Sequence, residues 1–272
     1  MTNMCSVSNI AWPIELAEVI VPKLADAGIT GIEIAPTLLW PNPTDIEQSD
    51  VVSVRESFLD YGLAVSGTQS LLYGIQDLHV LDKKTWPLLL EHMNSMVRVT
   101  ADLGANIAVF GSPKNRLRGE ISSNEAQSLA AEFFGQLIPA LTAYGVTLTL
   151  EPNAPEYGAD FLTTYAEVID LCKLIDSNSV RAQIDTGCLN MVGVDSVEAI
   201  GLGIPAHVHI SAPWLGPIED FEEAARLANL LVDEHQYEGW FVLETLPEKN
   251  TSAEAILDTA RQFVVSLGNS LE

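Results

Sequence analysis

Eight short apolar runs recur along this chain, each separated from the next by a longer stretch of helical period. They read VSNI (7–10), GIEIA (31–35), LAVSG (63–67), ANIAVFG (105–111), VTLTLE (146–151), RAQID (181–185), AHVHIS (206–211) and GWFVLET (239–245). Runs of that length are strands, and strands joined through helices pair in parallel. Helix signals fill the intervals. Leu16, Ile20 and Leu24 recur every four residues before Gly28, a helix stop. Capping-box pairs open others: Thr44 with Glu47, Ser122 with Glu125, Thr164 with Glu167, Thr251 with Glu254. No linker-like or low-complexity segment divides the 272 residues. The alternation therefore predicts α/β architecture, one closed (β/α)8 barrel domain over 1–272. A doubly wound open sheet is the rival, weakened because no G-x-G-x-x-G follows the first strand.

Composition narrows the setting. No run reaches the roughly 18 apolar residues of a membrane span, and MTNMCSVSNIAWP lacks the basic-then-apolar pattern of a signal peptide. Three widely spaced cysteines, Cys5, Cys172 and Cys188, argue against a disulfide framework and for a reducing compartment. A cytoplasmic protein is expected. A formal charge of −24 repels polyanions, so nucleic acid is not an expected partner.

The strands have two unlike faces. In VTLTLE, Val146, Leu148 and Leu150 oppose Thr147, Thr149 and Glu151; in RAQID, Ala182 and Ile184 oppose Gln183 and Asp185. Val208 and Ile210 oppose His207 and His209, while Phe241 and Leu243 oppose Trp240, Val242 and Glu244. Ile32 and Ile34 oppose Glu33. Barrel strands turn their apolar face to the helices, so the polar face looks into the lumen. Glu151, Asp185, His209 and Glu244 then converge at the C-terminal rim, where barrel enzymes carry their chemistry. Three carboxylates packed together repel, and desolvating them is expensive. Proton uptake is one remedy and a bound cation the other. A divalent metal held by those four residues answers the problem directly. The oxygen-rich set with one imidazole suits Mn²⁺ first, with Mg²⁺, Co²⁺ or Zn²⁺ as alternatives.

E-P-N at 151–153, I-D-T-G at 184–187, H-V-H-I-S at 207–211 and V-L-E-T at 242–245 resemble the xylose-isomerase-like barrels. This sugar phosphate isomerase/epimerase superfamily includes ketose 3-epimerases, hydroxypyruvate isomerases, inosose dehydratases and 3-dehydroshikimate dehydratases. The resemblance spans the chain in strand order and is most specific in the last four strands. It implies a divalent metal on Glu151, Asp185, His209 and Glu244. In the epimerase branch it implies that Glu151 and Glu244 form the proton-transfer pair.

Two positions depart from many relatives. Cys188 stands where they place a substrate-binding histidine, and the loop SAPWLGPIED (211–220) has no basic residue where they carry an arginine. Cys188 is either a substrate contact or a small residue filling the histidine's space. The segment GSPKNRLRG (111–119) is either a solvated basic turn or the source of the missing positive charge, Lys114 and Arg116 forming a fork for a substrate phosphate or carboxylate. Gln69, Ser70, Asn153 and Glu156 are candidate hydroxyl contacts, and Trp12, Trp40 and Trp214 candidate pocket walls. Glu33 either contacts substrate or supports a ligand, and His207 lies deeper than His209 as a lumen residue.

The expected activity is metal-dependent sugar, sugar phosphate or sugar acid isomerisation or epimerisation, by proton transfer through a metal-stabilised enediolate. A metal-dependent dehydratase is the alternative. A damage-specific endonuclease would need a basic face and more histidines than this chain's five, and a non-catalytic binding relative would not need both carboxylates. The expected partners are a small polyhydroxylated substrate and a second copy of the chain as a homodimer.

Overall fold

In the computed structural model, which describes residues 4–268, the eight runs become parallel strands. They are β1 (Met4–Ser8), β2 (Gly31–Ile34), β3 (Ala64–Thr68), β4 (Ile107–Phe110), β5 (Thr147–Leu150), β6 (Val180–Asp185), β7 (His207–Ile210) and β8 (Trp240–Leu243). Each pairs with the next, and β1 closes on β8 with Met4 opposite Trp240. The sheet has no edge, which excludes the doubly wound alternative and makes the fold a (β/α)8 barrel. β1 starts earlier than the sequence suggests. Ser8 caps a 3-10 turn over Asn9–Ala11, its hydroxyl accepting from the Ile10 N–H, so the chain has left the sheet by Asn9.

The wall's outward face is apolar and buried: Cys5, Val7, Ile32, Ile34, Phe110, Leu148, Leu150, Ile184, Val208, Ile210, Phe241 and Leu243 belong to one continuous core with the helices. The helix Ser123–Gly135 shows the fit. Its Phe134 meets Phe110 edge-on at 5.2 Å and Phe133 edge-on at 5.3 Å. Four other long helices cover the wall, Gln48–Asp60, Trp86–Asp102, Tyr165–Ile175 and Ala253–Ser266. No helix among the described residues is long and apolar enough to cross a membrane.

The sequence signals for helix starts were read unevenly. Ser122 and Thr164 accept from the Glu125 and Glu167 N–H groups, as the capping-box spacing predicts. The last helix starts one residue late, capped by Ser252 through Ala255 N, while the Thr251 hydroxyl donates to Glu248 O. Thr44 caps nothing; its hydroxyl donates to Asn42 Oδ1 and the helix opens at Gln48. The Leu16–Leu24 stripe runs not through one α-helix but through short α and 3-10 pieces over 14–27. Pro22 interrupts them, since proline has no N–H to continue the ladder. Gly28 ends them with φ 81°, the left-handed stop expected of glycine.

The lumen is polar and paired. Ser6 and Ser66 share a 2.7 Å hydroxyl contact, and the Thr149 hydroxyl donates to Gln183 Oε1 at 2.8 Å. Buried polar groups of this kind must find one another, because nothing else in a closed barrel satisfies them. The register around Glu33 shows how a carboxylate is accommodated. The β2–β3 pairing slips between Ile32 and Glu33, and Glu33 then faces Gly67. A Cβ on Gly67 would sit 3.0 Å from Glu33 Oε1, so glycine leaves the room.

Candidate functional site

Four strand ends deliver one side chain each to the same rim. Glu151 follows β5, its N–H donating to Phe110 O at 3.1 Å; Glu244 follows β8, its N–H donating to Ile210 O at 2.9 Å. Asp185 ends β6 directly opposite His209 of β7. One ligand-type atom from each of the four lies within 4.8 Å of the others. His209 Nδ1 is the hub, 3.1 Å from Glu151 Oε1 and 3.0 Å from Glu244 Oε2. It is buried and has no well-aligned hydrogen bond. A buried imidazole nitrogen that faces converging carboxylate oxygens without an aligned hydrogen bond of its own fits a cation. The residues could hold a divalent metal.

Behind the hub sits Glu33, fully buried. Its Oε1 is bonded to His207 Nε2 at 2.7 Å and its Oε2 approaches His209 Nε2 at 2.9 Å. The second approach is short but poorly aligned, so we read it as an ion pair rather than a straight hydrogen bond. Burial works to raise the Glu33 carboxyl, yet His209 and His207 together hold it well below the carboxylate range. Burial likewise opposes charge on His209, but Glu244 and Glu33 outweigh it and hold the imidazole well above its ordinary value. A carboxylate behind a ligating histidine fixes which nitrogen faces forward, here Nδ1. Glu33 thus braces His209 and is not among the residues that line the cavity, where a substrate contact would have to be.

Asp185 is held by the Cys188 N–H at 2.6 Å and by the Ser211 hydroxyl, which donates to Oδ2 at 2.8 Å. Burial, then the Glu151 and Glu244 charges, push its carboxyl up to about 7. Glu151 is clamped on both oxygens, Oε1 by Gln183 Nε2 at 2.8 Å and Oε2 by Asn153 Nδ2 at 3.1 Å. Gly111 makes this possible: a Cβ there would lie 2.5 Å from Glu151 Oε2.

The family model of the xylose isomerase-like TIM barrel matches residues 21–266. The chain belongs to that family. No curated protein matches the sequence significantly. Among solved structures, this xylose isomerase-like barrel is similar to a D-psicose 3-epimerase from Clostridium cellulolyticum H10, at 13% identity and a TM-score of 0.73 over 97% of both chains. An L-ribulose 3-epimerase superposes at 17% identity and 0.75, covering 98% of this chain and 93% of that one. A 3-keto-D-glucoside 4-epimerase from E. coli gives 16% and 0.74, covering 97% and 99%. At such identities these likenesses speak for the fold.

A cavity of about 290 Å³ opens onto Glu151, Asp185 and Glu244. Of the expected contacts, Gln69, Ser70, Asn153 and Cys188 line it. Gln69 is steadied by its Nε2 donating to Ser8 Oγ at 2.6 Å. Glu156 is exposed and outside the cavity; its neighbour Tyr157 takes that place. The Cys188 thiol is pushed up by burial first and then by Asp185 and Glu151, which keeps it neutral. The anion fork is not formed. Lys114 is exposed away from the cavity, and Arg116, 1% exposed, points inward to Glu151 O and Asn153 Oδ1. No lysine or arginine is among the residues lining the cavity.

Trp12 is packed in the core and Trp40 is half-buried against it. Trp214 is 60% exposed, edge-on to Tyr157 at 5.0 Å, and its backbone N–H donates to the Tyr157 hydroxyl. The walls are instead Ile10, Pro113, Tyr157 and Leu215, none of them singled out from sequence. Gln183 and Ser211, the partners of Glu151 and Asp185, were not singled out either. Gln183 had a signal, since it shares the inward face of RAQID with Asp185. The wall residues had none, because each is a loop residue whose neighbours come from distant strands.

Proposed function

We propose that the chain is a divalent-metal-dependent isomerase or epimerase of small neutral sugars. The observation that carries this reading is the set of four ligand atoms from Glu151, Asp185, His209 and Glu244, gathered within 4.8 Å at the mouth of a barrel. Support comes from the solved barrels above, whose names are those of sugar epimerases. A bound divalent ion would supply Lewis acidity to a carbonyl oxygen and the hydroxyl beside it.

The chain's own residues account for the rest. Strands β5 to β8 run consecutively around the wall, so Glu151 and Glu244 bracket the site with Asp185 and His209 between them. One carboxylate removes the proton from the carbon next to the carbonyl, and the other delivers a proton to the opposite face. Gln69 presents its amide to the substrate's hydroxyls, while Ile10, Tyr157 and Leu215 limit the water that reaches the reacting carbon. Three carboxylates outweigh one divalent cation in charge and no lysine or arginine joins the lining, so a phosphate or carboxylate substituent would meet net repulsion. That favours a neutral substrate over the sugar phosphate or sugar acid that GSPKNRLRG suggested. The test is incubation with Mn²⁺ and a panel of ketoses in D2O, read by NMR. Deuterium entering beside the carbonyl, with a new epimer or isomer, supports the reading; a panel left unlabelled refutes it.

A further inference from the structure

The largest fully buried side chain described here is Arg116, and proton transfer makes no direct use of it. Among the described residues, its Nε and Nη1 have no hydrogen-bond partner, and no ion pair within 4 Å includes it. A buried, unpaired guanidinium is expensive to desolvate, so its place needs a reason. The chain spends contacts on holding it there. Asn115, next to it in the turn Pro113–Arg116, donates from Nδ2 to Ile75 O at 2.9 Å and Leu78 O at 2.8 Å, and accepts from Val80 N on its carbonyl. With Asn115 anchored to the segment after β3, Arg116 is turned into the protein.

Arg116 Nη2 donates to Glu151 O at 2.8 Å and to Asn153 Oδ1 at 2.6 Å. Arginine has donors only, so the oxygen end of the Asn153 amide must face it and the nitrogen end must face away. That nitrogen is the donor to Glu151 Oε2. A flipped amide would set Asn153 Oδ1 against Glu151 Oε2, acceptor against acceptor, and release the carboxylate.

We propose that Arg116 is a positioning residue, which through the polarity of the Asn153 amide fixes the plane of the Glu151 carboxylate toward the metal and the reacting carbon. The inference rests on the proposed role of Glu151 as metal ligand and proton carrier. It differs from a charge effect in sign: loss of a nearby positive charge alone would strengthen cation binding, whereas loss of the positioning weakens it.

The experiment is Mn²⁺ titration calorimetry with steady-state kinetics on the full chain, for Arg116→Met, Asn153→Ala and their double variant. Each single change weakens Mn²⁺ binding and lowers kcat roughly 10- to 100-fold. The double variant is no worse than the larger single, because both act through one contact. Arg116→Lys, which keeps the charge and a donor, falls between parent and Arg116→Met. Arg116→Met binding Mn²⁺ as tightly as the parent or tighter, or additive losses in the double variant, overturn the proposal. If Arg116→Met does not fold, Asn153→Ala decides, and parent-like affinity and kcat overturn it. A parent that binds Mn²⁺ but turns over no sugar removes the proposed activity and leaves the relay to the calorimetry. A parent that binds no Mn²⁺ overturns both.

Discussion

Replacing Gly111 by alanine adds one methyl group at the back of the site, and the structure says what it would strike. The new Cβ would lie 2.5 Å from Glu151 Oε2 and 3.5 Å from Asn153 Oδ1. Gly111 is not among the glycines with positive φ, so the substitution carries no backbone penalty and its whole effect is this contact. Glu151 must retreat by about 1 Å to reach ordinary van der Waals separation. It is not free to do so at no cost, since Gln183 and Asn153 hold its two oxygens at 2.8 and 3.1 Å. Loss of one of these bonds costs about 0.5–1.5 kcal/mol. The larger effect is on geometry, because a ligand set confined within 4.8 Å loses one oxygen from its place. Displaced partners of a metal site typically lower affinity by roughly 10- to 100-fold, and a 1 Å misplacement lowers turnover by about 100-fold. Mn²⁺ calorimetry and kinetics on Gly111→Ala would read both, with thermal unfolding to show that the barrel persists. An affinity within about twofold of the parent's, with normal turnover, would refute the claim that Glu151 is held where the chemistry needs it.

Glu33→Gln removes the charge from behind His209 and His207; we expect about 3–5 kcal/mol of destabilisation in denaturant titration, and weaker metal binding. Lys114→Ala, on an exposed side chain, should leave KM unchanged for neutral and anionic sugars alike, and a KM raised tenfold for a sugar phosphate or sugar acid would restore the anion reading. The metal-free protein should lose stability as pH rises from about 4 to about 7, because folding raises the Asp185 carboxyl from 3.8 to about 7. Across that window the folded state holds a proton the unfolded chain has lost, so stability present at low pH is withdrawn. Asp185→Asn should flatten that dependence in metal-free thermal melts, and an unchanged slope would mean Asp185 is not the group responsible.

The fold was legible because the barrel repeats one instruction eight times, apolar residues outward at period two and helices between. The rim was legible for the same reason: Glu151, Asp185, His209 and Glu244 each lie at or next to the last inward place of their run. What lay beyond the period was not. Arg116 reads in the sequence as part of a basic, solvated turn, and only Asn115's bonds to Ile75 O and Leu78 O turn it inward. Glu156 and Tyr157 are adjacent, and which of them faces the cavity is set by a 3-10 turn over Pro155–Tyr157. The broken helix over 14–27 follows the opposite logic. A correct hydrophobic stripe was present, but Pro22 overrode it. Loop geometry depends on contacts between strands far apart in the chain, and a single sequence does not record them.

The most direct measurement is the metal content of the purified protein after Mn²⁺ loading and dialysis, by elemental mass spectrometry, for the parent and for Asp185→Asn and His209→Ala. The account predicts about one Mn²⁺ per parent chain and little in either variant, with all three folded. A folded parent that retains no divalent metal, or variants that retain as much as the parent, would contradict it.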